Sequence, residues 1–290
     1  MNIAPSDIRR VAVLGAGTMG AQIAALIASC GVKCDLLDLS VDMVEEARRR
    51  LMTMRPRVVD DHAVLERIRA GSFGTDLHRL RESDWIIEAI VEREQPKLEL
   101  WSEAALYVRG DAVLSTNTSG IPIAQIARAL PSAARGRFLG THFFNPPRYL
   151  HLLEIIPTDE TEPSVVAAVR SFAEDVLGKG VVEAHDVPGF ITNRIGCFYF
   201  LSAMRAADEY GLTPDEADAV SGPMMGRSNS ATFRTIDIVA WIYCWTYAIT
   251  HALPLNQRRS RGLLSHRSIC GRCVAGIGWA TRAGRASISV

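Results

Sequence analysis

The chain has 290 residues, 48% hydrophobic and 22% charged, with 32 basic and 32 acidic side chains and no formal net charge. These bounds describe one large or two medium globular domains, and balanced charge leaves no electrostatic footprint for nucleic acid or an anionic membrane. Six irregularly spaced cysteines make no disulfide framework, which points to a reducing, cytoplasmic setting. The stretch Met1–Arg10 lacks the apolar core of a secretory signal, and no apolar run is long enough to span a bilayer.

Val11–Leu14 is a short apolar run of the kind buried in parallel sheets. It leads directly into Gly15-Ala-Gly-Thr-Met-Gly20 and then into Ala21–Ser29, an Ala- and Ile-rich helical stretch ended by Gly31. Val32–Leu37 forms a second strand, closed by Asp38. A G-x-G-x-x-G alone is weak evidence; between a strand and a helix, with an acid at the end of the next strand, it predicts a dinucleotide site. Gly15 permits the tight turn, Gly17 lets the backbone approach a pyrophosphate, and Gly20 allows close helix packing. The helix start at Thr18 and Met19 offers N–H groups to phosphates. Asp38 suits ribose hydroxyls and repels a 2′-phosphate, which favours NAD over NADP.

Further along, Asp42–Arg50 reads as a charged helix and 55–69 as a solvated helical excursion. Trp85–Val91 predicts a strand, Gln95–Tyr107 a helix, Ala112–Ser115 a strand, Pro122–Leu130 a helix and Phe138–Thr141 a strand. That alternation predicts an α/β fold, a doubly wound parallel sheet forming a Rossmann-like NAD-binding domain over residues 8–186. Two apolar runs joined by a proline-rich turn then place His142 and Glu154 so that a strand, a reversal and a return strand bring them together. A carboxylate beside an imidazole fixes its tautomer and suits it to removing a proton near neutral pH. His151 is expected on the opposite face from Glu154, at a rim, and His185 in a loop. Residues 187–239 open an all-helical domain: Phe190–Tyr210 carries an apolar face at helical spacing, and Thr213-Pro-Asp-Glu is a helix start. Nothing in the sequence forms a metal-ligand cluster; Cys270 and Cys273 make a lone C-x-x-C without a partner pair.

Six ordered motifs point to one family. They are Val13-Leu-Gly-Ala-Gly-Thr-Met-Gly20, Glu88-Ala-Ile-Val-Glu92, Ser115-Thr-Asn-Thr-Ser-Gly120, Gly140-Thr-His-Phe-Phe-Asn-Pro-Pro147, Asp186-Val-Pro-Gly-Phe-Ile-Thr-Asn-Arg194 and Ser230-Ala-Thr-Phe-Arg-Thr-Ile-Asp237. Together, over roughly residues 8–239, the chain resembles the NAD-dependent 3-hydroxyacyl-CoA dehydrogenases of fatty-acid β-oxidation. The resemblance implies His142 as the general base for the 3-hydroxyl proton and Glu154 as the group that orients it. It implies Ser119 and Asn193 as donors to substrate oxygens, and Glu92, Lys97 and Asn145 as NAD contacts. It further implies an acyl-CoA substrate, NAD as cofactor, and a homodimer built by the helical domain.

After Val239 the resemblance stops, and residues 240–290 are Trp-, Arg- and Ser-rich without a sustained helical period. Family words reappear when the codons that can encode Val239–Trp245, and again Trp279–Ser289, are read in one shifted frame. Residues 240–290 are therefore expected to be a frameshifted tail, arising in the gene or in its sequencing, which truncates the helical domain and stands against the dimer. The alternatives are a dehydrogenase for another 3-hydroxy acid, such as 3-hydroxybutyryl-CoA, and a catalytically impaired NAD-binding remnant.

Overall fold

A computed structural model describes residues 8–238. The expectations for Cys270, Cys273 and the frameshifted tail lie outside the described residues.

Eight strands form one sheet: β1 (Arg10–Leu14), β2 (Lys33–Asp38), β3 (Ile68–Ser72), β4 (Trp85–Glu88), β5 (Val113–Thr116), β6 (Phe138–Phe143), β7 (Leu152–Pro157) and β8 (Gly180–Glu183). Their spatial order is β3-β2-β1-β4-β5-β6-β7-β8. Every neighbouring pair is parallel except β6 with β7, which run antiparallel. The chain order reverses direction between β1 and β4, and ligands of open α/β sheets bind beyond the carboxyl ends of strands at such a switch point.

Burial on both faces explains the apolar strands. Val11 and Val13 pack into one cluster with Ile23, Ile27 and Phe172, while Ala12 and Leu14 face another built on Trp101, Ile126 and Phe138. Each such buried large side chain contributes about 1.5–3 kcal/mol relative to exposure. Helix Thr18–Ser29 is buried along almost its whole length, as a helix apolar all round must be.

The sequence expectation fails at 55–69. Only His62–Glu66 is helical there, and Ile68–Ser72 is the edge strand β3. An edge strand pairs on one side only, so Ile68-Arg-Ala-Gly-Ser72 carries no continuous apolar run to betray it. Arg69 instead bonds through Nε to Asp35 Oδ1 of β2 at 2.5 Å, and Asp35 is fully buried. Helix Pro163–Ser171 and strand β8 were likewise unassigned from sequence.

Two compact units divide between Ile191 and Thr192. Within the second, helix Thr192–Glu209 is followed by helix Pro214–Ser221, whose start is a capping box between Thr213 and Glu216. Asp218 accepts backbone N–H bonds from Thr232 and Phe233 at 3.0 and 2.7 Å, anchoring helix Phe233–Ile238. No helix among the described residues is long and apolar enough to cross a membrane.

Candidate active site

The glycine-rich turn follows β1 as its spacing predicts, and its three glycines are constrained differently. Gly15 has φ +109°, and a Cβ there would lie 2.7 Å from the Ala89 carbonyl oxygen. A Cβ on Gly20 would sit 1.9 Å from the Gly15 carbonyl oxygen. Gly17 is the N-cap of helix Thr18–Ser29, and a Cβ on it would meet nothing within 4 Å. Gly15 and Gly20 are thus fixed by the protein's own packing. Gly17 instead borders open space in front of the helix N-terminus, where backbone must stay bare for an anionic phosphate to approach. Thr18 and Met19 supply the first residues of that helix. Asp38, at the end of β2, accepts from Ala16 N at 2.5 Å through Oδ2 and from Leu39 N at 2.6 Å through Oδ1. The carboxylate therefore ties the glycine turn to β2. These residues fit a dinucleotide.

On β6 and β7 the hairpin pairs His142 directly with Glu154. His142 Nδ1 lies 2.7 Å from Glu154 Oε2, and both residues are buried. An ionised carboxylate can only accept, so Nδ1 carries the proton and Nε2 is left with its lone pair. That nitrogen lies 3.1 Å from Ser119 Oγ. The Ile191 N–H donates to Glu154 Oε1 at 3.1 Å, so the two carboxylate oxygens have separate duties. The residue before, Phe190, adopts φ +44°, a region costly for a bulky side chain. Its ring packs 5.6 Å from the imidazole, and that of Phe144 packs 4.6 Å away. Two aromatic rings in edge contact and a fixed tautomer leave one ring nitrogen to do chemistry.

Ser119 stands in the turn after β5, and Glu92 holds that turn. Glu92 Oε1 accepts from Thr118 Oγ1 at 2.5 Å, from Ser119 N at 2.7 Å and from Gly120 N at 3.0 Å. Lys97, whose side chain is only 1% exposed, bonds Glu88 Oε1 at 2.6 Å and approaches Glu92 Oε2 at 3.5 Å. Asn145, past the end of β6, accepts from Gln22 Nε2 at 3.0 Å, and the same nitrogen donates to Thr18 O at 2.9 Å. One amide thus links the glycine-turn helix to the segment that carries His142. Asn193 is the second residue of helix Thr192–Glu209 in the second unit. His151 is exposed just before β7, and His185 is exposed in the segment after β8.

Sequence reasoning assigned nothing to Gln22, Glu88, Asn117 or Phe190. Asn117 Oδ1 accepts from Phe143 N at 2.9 Å, bracing the residue after His142. Glu88 sits fully buried at the end of β4, where Thr116 Oγ1 donates to it at 2.7 Å. The available signals were a polar residue one helical turn past Thr18 and a carboxylate closing an apolar strand.

The family model described as the NAD binding domain of 3-hydroxyacyl-CoA dehydrogenase matches residues 10–187. A probable 3-hydroxyacyl-CoA dehydrogenase of Deinococcus radiodurans is 44% identical over 238 residues, covering 80% of this chain and 69% of that protein. A probable 3-hydroxyacyl-CoA dehydrogenase of Bacillus subtilis is 39% identical over 253 residues, or 80% of this chain, but this chain spans only 32% of its length. Among solved structures, Mycobacterium tuberculosis FadB2 superposes with a TM-score of 0.69 at 32% identity, over 82% of this chain and 84% of that one. The (S)-3-hydroxybutyryl-CoA dehydrogenase PaaH1 of Ralstonia eutropha gives 0.62 at 30% identity, over 73% and 76%. With the glycine turn, the buried His–Glu pair and these relatives in agreement, the chain belongs to the 3-hydroxyacyl-CoA dehydrogenase family, and its sheet unit is that family's NAD-binding domain.

Proposed function

We propose that the chain oxidises (S)-3-hydroxyacyl-CoA to 3-oxoacyl-CoA, as a step in fatty-acid β-oxidation. The observation that carries this reading is the buried His142–Glu154 pair, with Nε2 of His142 turned toward Ser119. NAD, when bound, would supply the hydride acceptor for C3. Gly15, Gly17, Thr18, Met19, Gly20 and Asp38 would hold it, with Glu92, Lys97 and Asn145 assigned to the same cofactor site by the family resemblance.

His142 Nε2 takes the proton from the 3-hydroxyl as the C3–H bond breaks, so the oxygen becomes a carbonyl and the imidazole becomes an imidazolium. Glu154 Oε2, 2.7 Å from Nδ1, stabilises that cation without taking a proton. The family resemblance assigns Ser119 and Asn193 each as a donor to substrate oxygens, where negative charge develops in the reverse reaction. The sheet unit occupies residues 8–186 in this assignment, and 187–239 begin the helical domain.

The relatives' names divide between 3-hydroxyacyl-CoA and 3-hydroxybutyryl-CoA dehydrogenases, so chain length is the open variable within the class. NADH formation by the full chain, measured with (S)-3-hydroxyacyl-CoA thioesters from four carbons upward, tests the reading. Turnover with one or more of them supports it. NADH binding without turnover of any thioester contradicts it and favours the impaired remnant.

A further inference from the structure

Ser119 Oγ lies 3.1 Å from His142 Nε2, and a carboxylate on another loop holds the Ser119 backbone. Three donors from three consecutive residues converge on one oxygen of Glu92: the Thr118 hydroxyl and the Ser119 and Gly120 amides. Such convergence fixes two peptide planes, and the amide of Ser119 lies in one of them. Thr118 is itself locked, being fully buried and accepting from Ile121 N at 3.1 Å. Fixing the planes sets the Cα–Cβ direction of Ser119 and so the 3.1 Å approach of its Oγ to His142 Nε2.

Glu92 is held in turn. Its second oxygen faces Lys97 at 3.5 Å, and Lys97 is neutralised by the buried carboxylate of Glu88 at 2.6 Å. Glu88 also receives Ile90 N at 2.8 Å and Thr116 Oγ1 at 2.7 Å, so it is fixed at the ends of β4 and β5. A buried ion pair of this kind is weak evidence for stability but does define position. The chain of contacts runs Glu88, Lys97, Glu92, the Ser119 turn, His142, Glu154. The family resemblance gives Glu92 a contact with the cofactor; the geometry gives its Oε1 to the turn.

We propose that Glu92 is a positioning residue for the chemical step, acting through Ser119, with Lys97 and Glu88 setting its place. This rests on the reading of Ser119 and His142 as parts of the reacting site. Positioning residues act on the rate of chemistry, because small displacements of a reacting group cost large factors in rate.

The test uses the full chain with Glu92→Gln, Ser119→Ala and the double variant, followed by turnover at saturating NAD and by NADH binding from fluorescence. Glu92→Gln keeps the shape and loses the anionic acceptor. The expected result is a fall in kcat of roughly tenfold or more at saturating NAD, larger than any weakening of the NADH Kd. The double variant should be no worse than Ser119→Ala alone, because both remove the same function. A weakened NADH Kd with unchanged kcat overturns the proposal in favour of a cofactor contact, and fully additive losses overturn the route through Ser119. Unchanged turnover in Ser119→Ala sinks the assigned role of Ser119 itself, a failure distinct from an Ser119→Ala effect without a Glu92→Gln effect.

A crystal structure of Glu92→Gln supplies a readout independent of turnover. Ser119 Oγ and His142 Nε2 should separate beyond about 3.5 Å; an unchanged 3.1 Å contact contradicts the proposal. If Glu92→Gln fails to fold, Thr118→Val removes one of the three donors at nearly constant volume. It must then lower kcat without changing the NADH Kd, and unchanged turnover overturns the proposal.

Discussion

His142 and Glu154 face each other across the β6–β7 hairpin as register partners, with Nδ1 and Oε2 2.7 Å apart. Because the pair lies on adjacent strands rather than on loops, sheet hydrogen bonds hold its separation. Replacing Glu154 with Gln keeps the volume and removes the charge that stabilises the imidazolium. It also lets the amide donate to Nδ1, which places the ring proton on the wrong nitrogen. Turnover is expected to fall roughly 10²-fold or more, with NADH affinity unchanged. Steady-state kinetics beside fluorescence titration checks this, and wild-type turnover in the variant contradicts it.

The three glycines of the turn should separate binding from folding. Gly20→Ala places a Cβ 1.9 Å from a backbone carbonyl and is expected to lower Tm by several degrees or to prevent folding. Gly17→Ala meets no protein atom, so Tm should hold while NADH affinity weakens roughly tenfold. Thermal melts and NADH titrations on both variants decide it.

Lys179 holds the loop after β6. Its ammonium is buried and donates to the Pro147 and Leu150 carbonyls, the latter at 2.8 Å. Lys179→Met leaves both oxygens without that donor and should cost about 1–3 kcal/mol near neutral pH. Burial lowers the Lys179 pKa from its usual 10.5, with the negative charge of the neighbouring Cys30 thiolate opposing. The folded chain therefore releases this proton first, and between the lowered value and 10.5 the unfolded chain holds more protons. Wild-type stability should gain relative to Lys179→Met as pH rises through that window, and show no such drift below it. Urea unfolding near neutral pH and at about pH 10 measures the change; a wild-type loss instead of a gain contradicts it.

Asp38 offers a test of cofactor choice. Its carboxylate accepts from Ala16 N and Leu39 N, so Asp38→Ser should loosen the glycine turn and lift the repulsion of a 2′-phosphate together. The ratio of NADH to NADPH affinity is expected to fall roughly tenfold or more. An unchanged ratio would show that Asp38 serves the turn alone.

Much of this site was legible because its residues sit where strand periodicity is strong. Val11–Leu14 announces β1 by being apolar on both faces, and the glycines can follow it in only one way. His142 and Glu154 are legible as a pair because a reversal at the Asn145-Pro146-Pro147 turn brings two apolar runs side by side. The edge strand β3 was illegible, since Arg69 resembles a surface charge until Asp35 is seen buried beneath it. The turn-holding role of Glu92 was illegible for another reason. Its partners lie 26 to 28 residues away and are mostly backbone amides, which carry no sequence signal. The division at Ile191 also follows from packing rather than from any break in composition.

We propose His142 as the base for 3-hydroxyacyl-CoA oxidation on an NAD site. The most direct measurement is NADH formation from (S)-3-hydroxybutyryl-CoA by the full chain and by His142→Gln, with NADH Kd determined for both. Turnover is expected in the parent, with a loss of roughly 10²-fold or more in the variant and equal NADH affinity. Equal turnover in parent and variant would contradict it.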